Sequence, residues 1–457
     1  MSDWLEAAVV DGGVLDVTGR TPAGERLRRR YALGEGDHEA WLDVHLAVAA
    51  DFGTRVPRGR RPRRPATFAA PLKPVLTANL SPAMRDGYGD PAVLRVEGPG
   101  GPRWWLYVTS NDAPDAFPIL SSDDLGTWRF EGFVFPEGAA PPWARTGEGV
   151  SDFWAPELHR VGERFWLVFA ARDHQGSLAI GLAFAEHPAG PFKAMDRPLV
   201  EGWVIDPHLV VGPDGAPLLV WKEDSNHHWP AALARLLARE PALIDRLFEA
   251  EADRRTARLC SRMNPGHEAP PMEAFFRLQP LIEAVADDYR AFQARLAVAA
   301  GGLPPDSADL AHEALGAMTT RLMAQPLTPE GALTGAPAVV LQNDLDWEAH
   351  LIEGVWISEI GGRWWLFYAA NDFSTDHYGV GAAVADHPLG PYRKLPEPLL
   401  RSTADWSGPG HPSVTVDAEG RPRMLLHGFF PGRTGYKVFR ALLTVGLEPD
   451  GEGLRLV

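Results

Sequence analysis

The stretch RWWLFYAAND at residues 363–372 is a run of bulky aromatic and aliphatic residues ending in polar ones, the pattern of a buried β-strand. The same pattern occurs at residues 103–112 (RWWLYVTSND) and 164–173 (RFWLVFAARD). Two copies continue alike, since GLAFAEHPAGPF at residues 181–192 matches GAAVADHPLGPY at residues 381–392. Repetition of this length indicates an internal structural repeat.

Five such units can be counted from the strand that precedes each aromatic strand. These first strands open at a proline or glycine, near residues 90, 154, 206, 353 and 411. The spacing is even, at about 50 to 65 residues, once a helical insert is removed from the third interval. Residues 229–327 are that insert, because their apolar residues recur at the three and four spacing of amphipathic helices. The sequence therefore predicts an all-β chain, a five-bladed β-propeller with a helical insertion in or after the third blade.

Composition excludes several classes of protein. The 457 residues carry a net charge of −16, which argues against nucleic-acid binding because that depends on surplus Lys and Arg. Cys260 is the single cysteine, so no intramolecular disulfide can form. The N-terminus lacks a basic and apolar leader pattern, and no run of about 18 apolar residues occurs. We expect a soluble, cytoplasmic protein with no membrane partner, and the sequence leaves its oligomeric state open.

The first part of the chain differs from the repeats. Residues 1–72 are predicted as an N-terminal extension ending in a basic linker, with residues 73–457 forming the propeller domain around the insert. The run RVPRGRRPRR at residues 55–64 is the basic part. A polyanion-binding patch is one interpretation of it, and a solvated, proline-broken linker is the favoured one.

Carboxylates stand where the first strands of three blades open. The inner strands of a propeller run along its central channel, so Asp90, Asp206 and Glu353 should meet near one mouth of it. Paired carboxylates in a pocket suit glycoside hydrolysis, in which one protonates the leaving oxygen and another activates water or attacks the sugar. The alternative is turn chemistry, because Asp before Pro is a common turn starter. Asp86 is a weaker rival to Asp90, since it lies outside the strand position.

Several motifs together resemble glycoside hydrolase family 43, over about residues 75–445 apart from the insert. They are GYGDP at 87–91, PILSSDDLGTW at 118–128, FWAPE at 153–157, IDP at 205–207, IEG at 352–354 and GHP at 410–412. That family comprises five-bladed propellers that invert the anomeric centre of arabinofuranosides and xylosides. The resemblance implies an exo-acting α-L-arabinofuranosidase or β-D-xylosidase that acts on plant-type oligosaccharides.

The resemblance also implies roles for individual residues. Asp90 would be the general base and Glu353 the general acid, while Asp206 would orient the acid and raise its pKa. Inversion needs about 6.5 to 9.5 Å between base and acid, to leave room for a water. Glu353 departs from the family pattern, because Gly-Val follows it where Gly-Pro is usual.

Further positions are expected around the sugar. Phe153, Trp154 and Trp203 are predicted as pocket walls, since aromatic rings stack on sugar C–H faces. Arg433 resembles a family arginine that binds sugar hydroxyls, with a surface salt bridge as the alternative. His411 matches a family histidine at the bottom of the pocket. No cofactor is required, but His411 and a structural calcium ion in the central channel are a metal hypothesis beside plain hydrogen bonding.

Two other functions stay open from the sequence. One is a non-catalytic propeller that binds a glycan or a protein at its channel mouth. The other is a retaining, fructan-type furanosidase, whose nucleophile and acid would stand only about 5 to 5.5 Å apart. The identity of the sugar is not determined by the sequence.

Overall fold

A computed structural model describes residues 4–61, 66–147, 151–212, 215–263 and 271–457. The chain divides into two compact units. The first comprises Met1–Arg64, Ser225–Thr320 and Asn343–Leu351, and the second comprises Pro65–Asp224, Arg321–Gln342 and Ile352–Val457. No helix among the described residues is long and apolar enough to cross a membrane.

The first unit opens with a three-stranded antiparallel sheet and a helix. The strands are β1 (Leu5–Asp11), β2 (Val14–Arg20) and β3 (Arg26–Ala32), in that order across the sheet. Helix α1 (His38–Phe52) follows. The Asp37 side chain caps it by accepting from the Ala40 N–H, and Gly53 ends it with a left-handed φ of 68°.

The inserted segment of this unit is helical, as its periodicity predicts. Its helices are α2 (His228–Arg239), α3 (Leu243–Leu247), α4 (Glu251–Met263), α5 (Pro271–Ala286), α6 (Tyr289–Ala300) and α7 (Pro305–Ala317). Helix α2 shows why they form. Trp229, Leu233, Leu236 and Leu237 recur at three and four spacing, and all four are buried.

The basic run of the N-terminal segment does not behave as a solvated linker where the structure describes it. Arg55 is 7% exposed and Arg58 is 8% exposed. Arg55 binds Asp253 of α4, and both arginines bind Asp287, just after α5. Charged groups are buried only when they are paired, and these carboxylates supply the pairing. Residues 62–65 of the run lie outside the described residues.

The second unit is a five-bladed β-propeller, which confirms the predicted fold. Its first and second antiparallel sheets are β5 to β8 (Ala92–Gly98, Gly101–Tyr107, Ala116–Ser122, Trp128–Phe135) and β9 to β12 (Trp154–Val161, Arg164–Arg172, Leu178–Ala185, Lys193–Ala194). The third and fourth are β13 to β16 (Val204–Val211, Pro217–Glu223, Arg321–Pro326, Ala338–Gln342) and β17 to β20 (Ile352–Ile360, Arg363–Ala370, Gly379–Ala385, Arg393–Lys394). The fifth is β21 to β24 (Ser407–Val416, Pro422–Phe429, Arg440–Asp450, Gly453–Leu456). The aromatic repeats are the second strands β6, β10 and β18. Their alternating side chains pack between neighbouring sheets.

The fifth sheet contains strands from both ends of the unit. Strand β4 (Lys73–Leu76) pairs antiparallel with β23, so that Leu76 lies opposite Leu442. This pairing covers the edge that the last sheet would otherwise expose. The ring is therefore closed by hydrogen bonds between its first and last segments.

The helical insertion leaves the propeller within the third sheet. Strand β14 ends at Glu223 and β15 begins at Arg321. The third strand of this blade therefore starts before residue 327, where the predicted insert ends. The two strands still pair, with Trp221 opposite Met323.

Candidate active site

Each of the five first strands opens at a residue with left-handed backbone. These are Asp90 (φ 51°), Ala155 (φ 46°), Asp206 (φ 52°), Gly354 (φ 57°) and His411 (φ 50°). All except Gly354 precede a proline. Left-handed φ is uncommon for residues other than glycine and tends to occur at functional sites, where the surrounding structure holds it in place.

The strand ladders are irregular at the same points. Pairing shifts register between Ile205 and His208, and again between Glu353 and Trp356. An extra residue in a strand is a β-bulge, which re-aims the side chains beside it. The bulges explain how carboxylates on different blades can turn toward one point.

The structure corrects the predicted register of Glu353. Gly354, not Glu353, occupies the position equivalent to Asp90 and Asp206. A Cβ at residue 354 would lie 3.0 Å from the His411 ring, so a larger residue would collide there. Glu353 therefore reaches the site from one residue before the bulge.

Asp90, Asp206 and His411 form the centre of the site. The Nδ1 atom of His411 lies 3.3 Å from Asp90 Oδ1 and 3.9 Å from Asp206 Oδ2. The side chains of His411 and Asp206 are buried, and that of Asp90 is 14% exposed. The structure thus brings together residues that the sequence places on the first, third and fifth blades.

Asp90 is held as a carboxylate by its neighbours. Its Oδ1 accepts from Arg440 Nη1 at 2.8 Å, and its Oδ2 accepts from Thr109 Oγ1 at 2.5 Å. Burial alone would raise the pKa of Asp90, but Arg440, His411 and His427 together hold it well below its usual range. Asp90 is consequently ionised, as a general base must be.

Asp206 is the carboxyl group whose pKa moves in the opposite direction. Its Oδ2 accepts from the Gly354 N–H at 2.8 Å. Burial, followed by repulsion from Glu353 and Asp90, raises its pKa to about 7, although His411 and Lys222 oppose the shift. Asp206 can therefore hold a proton near neutral pH.

Glu353 has a donor on each oxygen. Lys222 Nζ donates to Oε2 at 2.9 Å, and the Tyr378 hydroxyl donates to Oε1 at 2.7 Å. Gly410 makes room for this contact, because a Cβ there would lie 1.9 Å from Tyr378 Cε1. Sequence analysis did not identify Lys222 or Tyr378, since each lies on or beyond a second strand with no motif around it.

A second polar network lies on the inner strands of blades two to four. His159 Nε2 and His208 Nδ1 lie 2.9 and 2.7 Å from the same oxygen of Glu157. His208 Nε2 accepts from the Ile357 N–H at 3.0 Å, so its proton must be on Nδ1. Burial lowers the pKa of His208 to about 3, which keeps the ring neutral.

That proton assignment decides what the network can bind. Glu157, His159 and His208 place potential ligand atoms within 4.8 Å of one another, as a metal site would. A neutral imidazole that accepts on Nε2 has no lone pair left on Nδ1 for a metal. The network is therefore a set of hydrogen bonds that links the inner strands, with Glu157 as the common acceptor.

The metal hypothesis at His411 concerns a different set of ligands. Calcium takes about six to eight oxygen ligands. Both oxygens of Asp90 already accept from Arg440 and Thr109, and Asp206 Oδ2 accepts from Gly354. The described side chains around His411 do not form a calcium cage, and a calcium ion held there through water stays a prediction.

The predicted aromatic walls separate into two groups. Trp154 and Trp203 are partly exposed and pack on the small cluster that contains Ile205. Phe153 is 2% exposed and packs edge-to-face on Phe117 at 5.6 Å, so it belongs to the core rather than to the pocket wall. Phe153 lies just before β9, which begins at Trp154, and successive side chains of an extended chain point to opposite faces.

Arg433 is not placed at the site. It is exposed, and no contact of its side chain with the carboxylates occurs among the described residues. Arg440, seven positions later in the same blade, is the arginine that binds Asp90. The carboxylate of Asp86, the rival to Asp90, accepts a hydrogen bond from the Asn111 side chain at 2.8 Å. The backbone carbonyl of Asp86 accepts another from the Arg440 N–H at 3.0 Å.

The loop of residues 430–439 joins β22 to β23 and reaches from the fifth blade to the first and second. The Tyr436 hydroxyl donates to Asp152 at 3.0 Å, and Lys437 Nζ donates to Asp112 at 3.0 Å. Asp152 lies two residues before Trp154 and also binds Arg172 at 2.5 Å. This loop therefore forms a wall beside Trp154.

The sequence pattern of the family described as glycosyl hydrolases family 43 matches residues 80–243 and 310–450. The chain belongs to that family. The predicted family is thus confirmed over most of the chain, and the match is interrupted where the helical insertion lies.

A curated relative and several solved structures are similar to parts or all of the propeller. Xylosidase/arabinosidase 43A of Humicola insolens is 33% identical over 75 residues, which is 16% of this chain and 21% of that protein. The crystal structure of a thermostable family-43 glycoside hydrolase has a TM-score of 0.54 at 24% identity, covering 81% of this chain and 92% of the other. An endo-1,4-beta-xylanase structure from Bacteroides thetaiotaomicron has a TM-score of 0.52 at 18% identity, covering 82% and 95%. At these identities the structures show the fold alone.

Proposed function

We propose that the protein is an inverting, exo-acting glycosidase that removes terminal α-L-arabinofuranosyl or β-D-xylosyl units from plant-type oligosaccharides. The observation that carries the proposal is the meeting of Asp90, Asp206 and His411 at one point, with Glu353 joined to Asp206 through the Gly354 N–H. Family membership supports hydrolysis of glycosides as the reaction class. The name of the Humicola insolens relative supports the two sugars.

The side chains can supply each proton that hydrolysis needs. Asp90, ionised by Arg440, accepts a proton from a water that attacks the anomeric carbon. Glu353 gives a proton to the glycosidic oxygen as the bond from that oxygen to the anomeric carbon breaks. Asp206 orients the acid through Gly354. One water is consumed, and the anomeric carbon inverts because attack and departure occur on opposite faces.

Two features of the pocket support action at chain ends. Trp154 and Trp203 supply partly exposed rings for a sugar face. The 430–439 loop is tied to Asp152 and Asp112 and walls the pocket beside Trp154. A pocket closed on one side accepts a terminal sugar more readily than the middle of a chain.

We propose that the protein acts in a reducing compartment, the cytoplasm. Support comes from Cys260, which is buried in α4 and unpaired with any other cysteine. Imported oligosaccharides would then be its substrates.

Turnover of two chromogenic glycosides tests the proposal. The wild type is expected to hydrolyse 4-nitrophenyl α-L-arabinofuranoside or 4-nitrophenyl β-D-xylopyranoside. Asp90→Ala should lower the rate of hydrolysis by at least about a hundredfold, because a general base contributes that much to the rate. The matched control is Asp123→Asn, an aspartate of the same blade whose side chain is 54% exposed. No turnover of either glycoside by the wild type would reject the proposal.

A further inference from the structure

Lys222 is a buried ammonium group inside the carboxylate cluster. Its side chain has no exposed surface, and its Nζ donates to Glu353 Oε2 at 2.9 Å and to Asp224 Oδ1 at 3.3 Å. It lies on β14 opposite Ile205, the residue before Asp206. Burial would lower the pKa of Lys222, but the carboxylates of Glu353, Asp224 and Asp206 raise it above its usual value. The group therefore stays charged.

The contact between Lys222 and Glu353 conflicts with the role of Glu353 as a general acid. Glu353 accepts on both oxygens, from Lys222 and from Tyr378. A proton bound to Oε1 can be accepted by the Tyr378 hydroxyl, but a proton bound to Oε2 would face the Lys222 ammonium, which has no lone pair to accept it. Glu353 can carry a proton on Oε2 only when Lys222 is held elsewhere.

Asp224 is placed to hold Lys222 instead. Its Oδ1 is already within 3.3 Å of Nζ, and its side chain is only 10% exposed. The Asp224 N–H donates to the Trp203 carbonyl at 2.8 Å, which fixes the backbone of this acceptor. A small displacement would transfer the ammonium from Glu353 to Asp224 without returning it to water.

We propose that Lys222 is a positioning residue that alternates between Glu353 and Asp224, and thereby sets when Glu353 can carry the proton for the leaving group. The inference rests on the proposed function. Lys222 gains and loses no proton in this cycle. When Glu353 has given its proton to the glycosidic oxygen, Lys222 binds the new carboxylate. When the proton that Asp90 took from the attacking water has passed through solvent to Glu353, Lys222 binds Asp224.

The pH dependence must include every charged group that faces Glu353. Lys222 and Asp224 come from the third blade together with Asp206, and Tyr378 comes from the fourth. Asp90 and His411 face Asp206 from the first and fifth blades. His411 and Lys222 favour ionisation of Asp206, whereas Glu353 and Asp90 oppose it.

Two variants with opposite expected effects test the proposal. The measurement is the pH profile of kcat/KM with phenyl glycosides of the sugar that the wild type accepts, because phenol is a poor leaving group that needs the acid. The alkaline side of the profile reports loss of the acid proton. Lys222→Met should move it to higher pH, by about 1 pH unit or more. Asp224→Asn should move it to lower pH, since Lys222 is then committed to Glu353.

Controls separate a charge effect from a general loss of structure. Lys193→Met makes the same substitution at an exposed lysine of the second blade and should leave the profile unchanged. The Lys222→Met defect should be smaller with 4-nitrophenyl glycosides, whose better leaving group depends less on the acid. Unshifted profiles in both variants, or shifts in the same direction, would overturn the proposal.

A second readout does not depend on turnover. Carboxyl ¹³C titration of the wild type and Lys222→Met, with Glu353→Gln to assign the signal, should show Glu353 titrating at higher pH when Lys222 is absent. If the wild type hydrolyses neither glycoside, the proposed function fails and this titration alone decides the role of Lys222. An unchanged Glu353 titration would reject that role.

Discussion

The imidazole of His411 stands between two carboxylates, with its Nδ1 3.3 Å from Asp90 Oδ1 and 3.9 Å from Asp206 Oδ2. A single ring nitrogen thereby lies within ion-pair distance of both carboxyl groups, and closer to Asp90. Gly354 is what allows the ring to lie there, because a Cβ at that residue would be 3.0 Å from it.

Gly354→Ala should therefore impair both folding and activity. The substitution adds left-handed strain at φ 57° and a collision with His411. We expect a loss of about 1 to 3 kcal/mol in the free energy of unfolding, measured by urea denaturation, together with reduced kcat. Gly420→Ala is the matched control, since Gly420 has φ 79° and open space around its Cβ. Equal losses of unfolding free energy in both variants would show that backbone strain, and not the contact with His411, causes the effect.

Asp206 should make the protein less stable as the pH rises. Its pKa in the folded state, about 7, is above the value of 3.8 for an unperturbed carboxyl group. The folded protein thus binds the extra proton, and that stabilisation is lost as the pH rises from about 4 through 7. Asp206→Asn should raise Tm relative to the wild type more at pH 8 than at pH 5, in calorimetry at both values.

Asp90 provides the opposite case for the same measurement. Its pKa is held well below the usual range, so its contribution to stability is present above about pH 4 and lost at lower pH. Asp90→Asn should lower Tm at both pH 5 and pH 8. A Tm that changes equally with pH in the two variants would contradict both assignments.

The stereochemistry of the product should be inverted. Asp90 and Glu353 lie on the first and fourth blades, and neither shares a hydrogen-bond donor with the other. Inversion requires a base and an acid about 6.5 to 9.5 Å apart, with a water between them. Proton NMR of the first product formed should show the anomer opposite to that of the substrate. Formation of the same anomer would instead indicate the retaining, fructan-type mechanism.

The 430–439 loop should restrict the enzyme to chain ends. The double variant Tyr436→Phe, Lys437→Met removes the bonds to Asp152 and Asp112. We expect a higher KM for the 4-nitrophenyl glycoside and release of some longer fragments from linear arabinan or xylan, resolved by chromatography. The wild type should release only monosaccharide. Mixed fragments from the wild type would contradict exo action.

The sequence predicted the five-bladed propeller better than it predicted the candidate active site. Aromatic strands such as residues 363–372 repeat often enough to count blades, and the openings at Asp90, Asp206 and His411 are marked by the prolines that follow them. The insertion was recognisable because its periodicity changes from two to about 3.6. These signals are local in the sequence, so they can be recognised without knowledge of the fold.

The remaining site residues carry no local signal. Lys222, Tyr378 and Arg440 reach the carboxylates from other strands and loops, and only the folded chain brings them close. Arg433 was predicted from the family resemblance, whereas the arginine that binds Asp90 is Arg440, at the start of β23, and no sequence motif marks it. The burial of Arg55 depends likewise on acids about 200 residues away in the chain.

The pairing of β4 with β23 governs when the propeller can be completed. Lys73 belongs to the first strand of the unit, and its partner Thr444 lies near the end of the chain. During synthesis the β4 segment stays unpaired until residues 442–444 have been made, and closing so long a loop slows this step of folding. A ribosome-bound chain ending before residue 440 should therefore remain sensitive to proteases near residues 73–76, whereas the released protein should resist them.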